Sequence, residues 1–293
     1  MVKKDTAFQI AANFLMIVAV IACIVPFLLL FISSITAENA LIRNGYTFFP
    51  SEISFEAYKI LLTDSTDILR GYGITVLVTV AGTVSNLLLT TLFAYPLSRK
   101  DLPGRNFFAF FIFFTMLFNG GLVPSYMMWT GAFQIKNTIW ALIIPNLLMT
   151  AFYVIMMRTY LTANIPDAVI EAARIDGAGE LRILRQVVLP MATPILATLA
   201  LLVGLGYWND WLNGLYYVND NRLYSIQVLL NRMLMDVQYL MSNTASSLNQ
   251  NVALPATGIK MAVAVMGVLP ILIIYPFLQR YFIQGIAIGA VKG

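Results

Sequence analysis

The 293-residue sequence has no histidine and a single cysteine, Cys23. The first absence removes imidazole metal sites and His-based catalytic triads, and the second removes any disulfide within the chain. Charge is scarce as well. Only 11% of residues are Asp, Glu, Lys or Arg, against about 25% in an ordinary soluble domain, while 59% are apolar. No acidic pair sits inside an apolar stretch, so neither a catalytic group nor a metal site is expected. A net charge of +4 does not indicate nucleic acid as a partner and is better read through its sidedness.

The charges are missing in blocks. None occurs between Asp5 and Glu38, Arg70 and Arg99, Arg105 and Lys136, Lys136 and Arg158, Arg185 and Asp210, or Lys260 and Arg280. Each window is long enough for the roughly 20 residues a helix needs to cross a bilayer. Spanning segments must satisfy their own backbone hydrogen bonds, and these windows are too long for barrel strands. The expectation is an all-α integral membrane protein with six transmembrane helices, over residues 10–34, 72–97, 107–129, 138–157, 194–214 and 258–280, forming one membrane-spanning domain over 1–293. A seventh charge-free window, 237–259, has a polar middle (SNTASSLNQN) and reads as part of an outer loop, 215–257. Residues 225–241 carry apolar residues at helical spacing and read as a surface helix within it.

The first window also bears comparison with a signal peptide, and residues 20–23 resemble a lipoprotein cleavage box. The apolar run continues past Cys23 to Ile35, which favours an uncleaved span. In the third window, Asn119, Gly120, Gly121 and Pro124 weaken a helix. Two readings stand for Gly120 and Gly121: a packing kink, or a hinge beside a pathway.

With the amino terminus inside, eleven of the eighteen basic residues fall on the cytoplasmic side, so the positive-inside rule favours both termini there. The six charge-free windows hold no Asp, Glu, Lys or Arg by definition, which leaves a proton-coupled carrier or a voltage sensor without its working parts. A transporter built this way draws its energy from a partner.

Residues 165–194 lie on the same cytoplasmic side and hold Asp167, Glu171, Arg174, Asp176, Glu180, Arg182 and Arg185. Pro166 suits a first helical turn, with Asp167 and Glu171 near its positive end. Ala168, Ala172 and Ile175 share a face, and Ala172 and Ala173 admit close approach. Gly177 can take the left-handed conformation that ends a helix. A second short helix then presents Leu181, Leu184 and Val188, and Pro190 and Pro194 stop it. Physics alone leaves two readings: a docking surface for an energy-supplying partner, or an interfacial helix resting on lipid headgroups.

The order Glu171-Ala172-Ala173, three residues, Gly177, nine residues, Val187, one residue, Leu189-Pro190 resembles the EAA loop of ABC importer permeases; Val187 replaces the usual Ile. The six-span layout and the closing Gly289-Ala290-Val291-Lys292-Gly293 are similar to the carbohydrate-uptake (maltose-type) branch, closest to polysaccharide and oligosaccharide importers such as the alginate system. The resemblance implies a bacterial inner-membrane subunit that pairs with a second, homologous permease and two cytoplasmic ATP-binding subunits. It also implies an extracytoplasmic solute-binding protein that delivers a carbohydrate. ATP and Mg belong on the partner subunits, and no cofactor is bound directly. The implied ATPase contacts are Glu171, Ala172, Ala173, Asp176, Gly177, Leu184 and Pro190, with Lys292 in the tail as a further one.

The outer end of the fifth window reads GYWNDWLNGLYY. Tyr207, Trp208 and Trp211 can stack on sugar rings, and Asn209 and Asp210 can hydrogen-bond hydroxyls, but Trp and Tyr also form ordinary interfacial belts. The polar loop from Ser242 to Asn251 is either a binding-protein contact or a connector. A membrane-embedded enzyme or a channel remains as an alternative class; neither explains the Glu-Ala-Ala spacing.

Overall fold

The computed structural model describes residues 6–63, 65–246 and 256–290. Among these residues there is no strand, only one isolated antiparallel bridge between Thr36 and Ile53. In chain order the helices are α1 (Thr6–Ser34), α2 (Glu38–Asn44), α3 (Glu56–Leu61), α4 (Ser65–Ser98), α5 (Arg105–Leu117), α6 (Leu122–Met127), α7 (Trp140–Ile143) and α8 (Ala151–Asn164). There follow α9 (Asp167–Ile175), α10 (Glu180–Ile183), α11 (Leu189–Met191), α12 (Thr193–Trp208), α13 (Leu212–Tyr217), α14 (Ile226–Ser246) and α15 (Ala256–Ala290). The chain divides into two compact units, residues 1–68 with 230–271 and residues 69–229 with 272–293.

In the first unit, α1 is long and apolar enough to cross a membrane, and none of its apolar window is buried by the rest of the chain. Its surface is left to lipid or to another subunit. The segment after it is stitched by Ala37 N–H to the Glu52 carbonyl (3.0 Å) and Ser54 N–H to the Ile35 carbonyl (2.9 Å). The Glu38 carboxylate accepts the backbone N–H groups of Thr257 and Gly258 at 3.0 and 2.8 Å. It thereby caps the positive end of α15, whose first N–H groups have no intrahelical partner.

In the second unit, three expectations for continuous helices change. The third window is two helices, α5 and the run from α6 through a π-helical turn to Ala132, bent by 111°. Gly121 makes the break with φ +86°, and its N–H is held by Asn119 Oδ1 at 2.9 Å. The fourth window was expected as one helix over 138–157; it is instead α7, an irregular segment over 144–150, and α8. Pro145 cannot donate to a helix, and Asn146 takes φ +62°. The fifth is α12 and α13 separated by Asn209, Asp210 and Trp211. The helix expected at 225–241 begins at Ile226 and runs on to Ser246, and Ile226 and Val228 are buried rather than on a surface.

Side chains compensate for the broken backbone. Tyr207 Oη donates to the Ile143 carbonyl (2.9 Å), Asn213 Nδ2 to that of Pro145 (2.9 Å) and Asn86 Nδ2 to that of Leu147 (2.7 Å). Irregular backbone at membrane depth needs such partners, because hydrocarbon offers none.

Candidate functional site

The charged stretch 165–194 folds as α9 to α11, joined by tight connections. Pro166 caps α9 in extended geometry and Asp167 opens its first turn. The helix ends as its sequence suggests. Gly177 takes φ +79°, its N–H reaches the Arg174 carbonyl at 2.9 Å, and Ala178 N–H reaches that of Ala173 at 3.0 Å. Those two bonds make a Schellman cap. Pro190 does not stop the second helical run. A π-helical turn over Leu184–Val188 places the Leu189 N–H on the Leu184 carbonyl, ahead of the residue that cannot donate. The run continues to Met191 and meets α12 at 81°.

α9 has two faces. Ile170 points inward and is 3% exposed, in a cluster with Tyr95, Leu161, Ile183 and Val188. Ala168, Glu171, Ala172 and Ile175, three and four residues apart, are exposed. Ile175 is 86% exposed, an apolar side chain left in water beside two small residues and a carboxylate.

The charges divide in the same way. Arg174 bridges Asp101 (2.8 Å) in the α4–α5 turn and Glu180 (Nε–Oε1 2.9 Å) at the start of α10. The hydroxyl of Tyr95, on α4, donates to the other oxygen of Glu180 at 2.6 Å. Lys100 Nζ meets Asp167 at 2.8 Å, and Arg99 lies between Asp101 (3.4 Å) and Asp167 (3.8 Å). Hydrogen bonds from Arg174 and Lys100 hold the Asp101 and Asp167 carboxyls below the usual carboxylate range, and the Glu180 and Asp101 carboxylates push the Arg174 guanidinium further up. This network spans a cavity of about 490 Å³ between Leu92, Tyr95 and Asp101 on one side and Arg174, Glu180 and Leu184 on the other. Glu171, Asp176 and Arg185 take no part in it. They are exposed and make no ion pair among the described residues.

Of the residues singled out at 165–194, Glu171, Ala172, Asp176, Gly177 and Pro190 are exposed, Ala173 is half-buried, and Leu184 is buried in the core. Sequence reasoning missed Tyr95, Asp101 and the pairing of Arg174 with Glu180. Tyr95 and Asp101 come from α4 and the turn after it, far off in sequence, and Arg174 meets Glu180 across the bend between α9 and α10, so neither contact leaves a helical spacing signal. Lys292 lies outside the described residues, as does the Ser242–Asn251 loop beyond Ser246.

Around the fifth window, Tyr207 and Trp208 are 2% and 7% exposed. Tyr207 packs so closely on Gly82 of α4 that a Cβ there would enter its ring. This is an internal strut, neither an interfacial belt nor a free stacking surface. Asn209 is exposed and donates back to the Leu205 carbonyl at 3.0 Å. Asp210 accepts the N–H of Asn213 at 3.3 Å, and Trp211 is half-buried against the Tyr217 cluster. Gly120 and Gly121 are exposed with open space where a side chain would go. Gly121 is therefore required for its dihedral and not for room.

Residues 105–288 match the family model described as "Binding-protein-dependent transport system inner membrane component". The chain is 36% identical over 291 residues to the "Polygalacturonan/rhamnogalacturonan transport system permease protein YtcP" of Bacillus subtilis, covering 99% of this chain and 100% of that one. It is 35% identical over 270 residues to "Protein LplC" of the same organism, covering 92% and 90%. Among solved structures it is similar to a bacterial ABC transporter involved in the import of the acidic polysaccharide alginate. That match has a TM-score of 0.80 and 29% identity, over 96% of this chain and 99% of that one.

Proposed function

The chain belongs to the family of binding-protein-dependent transport system inner membrane components, and from that premise we propose that residues 165–190 are where it receives the force of ATP hydrolysis from partner subunits. It is the permease subunit of an ABC importer in the inner membrane, a transport subunit and not an enzyme. Its six spans, formed by α1, α4, the α5–α6 pair, the α7–α8 segment, α12 with α13, and α15, leave both termini and α9–α11 in the cytoplasm. It assembles with a second, homologous permease and two ATP-binding subunits that carry ATP and Mg, and it takes its cargo from an extracytoplasmic binding protein.

The cargo is a carbohydrate longer than a monosaccharide. Relatives named for polygalacturonan, for arabinooligosaccharides and for melibiose, raffinose and stachyose support that class. Polygalacturonan together with the alginate importer favours a uronic-acid oligosaccharide.

One observation carries the docking assignment. In a stretch where Asp167, Arg174 and Glu180 are all tied back to the permease, Glu171 stands free beside Ile175, which is 86% exposed. An apolar side chain this exposed, next to a lone carboxylate and two alanines, fits a protein cleft better than water. The test is reconstitution with candidate ATPase subunits: Glu171→Lys should abolish assembly or sugar-stimulated ATP hydrolysis. Wild-type values of both would sink the assignment.

A further inference from the structure

The irregular segment 144–150 lies within the fourth charge-free window, and Asn146 stands close to its centre, between Lys136 and Arg158. The segment is pinned on both sides of this residue. Ile143 and Pro145 before it and Leu147 after it give their carbonyls to Tyr207, Asn213 and Asn86. Asn146 itself is left out. Its φ is +62°, it is exposed, and it makes no hydrogen bond among the described residues through either its backbone or its side chain.

Two physical facts constrain what Asn146 faces. A left-handed residue inside a spanning segment interrupts the helical hydrogen bonds, and hydrocarbon supplies no substitute. A primary amide turned toward lipid would lose every hydrogen bond that water gave it. Non-helical backbone is tolerated at such depth only where protein buries it or a water-filled passage borders it. Asn146 is exposed, so the described residues of this chain do not bury it. The three pins also give the residue a fixed position, which a flexible loop would not.

We propose that Asn146 is a contact point for the transported carbohydrate, with its carboxamide donating to one sugar hydroxyl and accepting from another. The amide group has two donors and an acceptor in one plane, which suits paired hydroxyls. It carries no charge, so it can exchange partners as the sugar passes without holding it. Residues 207–211, the stretch richest in sugar-binding side-chain types, instead supply one of the pins through Tyr207. This inference rests on the import function proposed above.

The test uses the complete complex, reconstituted with partner permease, ATPase subunits and binding protein. The sugar is whichever of oligogalacturonide and oligoalginate the unsubstituted complex takes up. Because Cys23 is the only cysteine, Asn146→Cys in a Cys23→Ser chain reports on one position. A membrane-impermeant thiosulfonate should label it, and labelling should be lost when sugar and binding protein are added. Asn146→Gly keeps the left-handed geometry without strain and deletes only the carboxamide. Uptake should fall about tenfold, the equivalent of one or two hydrogen bonds, with assembly and basal ATP hydrolysis unchanged. A site that stays unlabelled in both nucleotide-free and ATP-bound complexes faces lipid or a subunit, and the proposal fails. It fails equally if Asn146→Gly transports at the wild-type rate. Absence of ATP-dependent uptake by the unsubstituted complex, with either sugar, would instead overturn the import reading and the sugar contact with it.

Discussion

Asn86 on α4 donates its side-chain N–H to the carbonyl of Leu147 at 2.7 Å, across 61 residues of sequence. The same carboxamide's oxygen accepts the hydroxyl of Thr90 at 3.1 Å. Asn86 is fully buried. A polar residue at that depth would be costly alone; here it replaces the helical hydrogen bond that the break at 144–150 leaves unmade. Asn86→Leu should therefore destabilise the permease by about 1–2 kcal/mol, the cost of an unsatisfied buried carbonyl, read as a lower thermal midpoint in detergent. A neutral result would mean that the Leu147 carbonyl finds another donor.

Gly82 gives that strut its room. A Cβ at this position would collide with the Tyr207 ring, and the ring is held by its hydrogen bond to the Ile143 carbonyl. Gly82→Ala should cost about 1–3 kcal/mol through overpacking. Gly73, with nothing near it, should accept Ala without loss. The comparison separates a packing requirement from helix propensity, since both glycines lie in the same helix.

Arg174 ties α9 to the α4–α5 turn through Asp101 and to α10 through Glu180. The pairs are largely exposed, so each adds little to stability at neutral pH. Arg174→Ala should leave the thermal midpoint nearly unchanged and lower the uptake obtained per ATP hydrolysed. Equal ratios in the two proteins would show that α9 and α4 stay coupled through apolar contacts alone.

The same pairs set a pH dependence. The Asp101 and Asp167 carboxyls lie below their ordinary value of 3.8 in the folded chain. Their ion pairs are therefore complete above that value and are lost as pH falls through the lowered folded ones. Thermal stability should be flat from neutral to mildly acid pH and drop below the ordinary carboxylate range. In Arg174→Ala the drop should be shallower.

Glu38 holds the first N–H groups of α15. Glu38→Ala removes both the acceptors and the charge at a helix N-terminus, and should cost about 1 kcal/mol. Hydrogen exchange at Thr257 and Gly258 should rise with it, which distinguishes loss of the cap from a general softening.

The parts of the site that were legible beforehand depend on neighbours in the chain. The Glu-Ala-Ala spacing, the left-handed Gly177 and the two-faced α9 follow from backbone geometry over a few residues. The inward half of the charge network was not legible, because Tyr95 and Asp101 meet Glu180 and Arg174 only after α4 packs against α9–α11. The buried place of Tyr207 was not legible for a related reason. Residue type alone does not tell a tyrosine that stacks on a sugar from one that fills the space left by a distant glycine.

Composition and charge spacing by themselves determined that this chain lives in a membrane and that residues 165–190 form a charged island between apolar stretches. These follow from the free energy of placing charge or bare backbone in hydrocarbon, a property of each segment taken singly. Only the tertiary structure decided that the fourth window breaks. A broken segment is stable only if partners elsewhere in the chain take up its carbonyls, and Asn86, Tyr207 and Asn213 reach theirs across 61 to 68 residues.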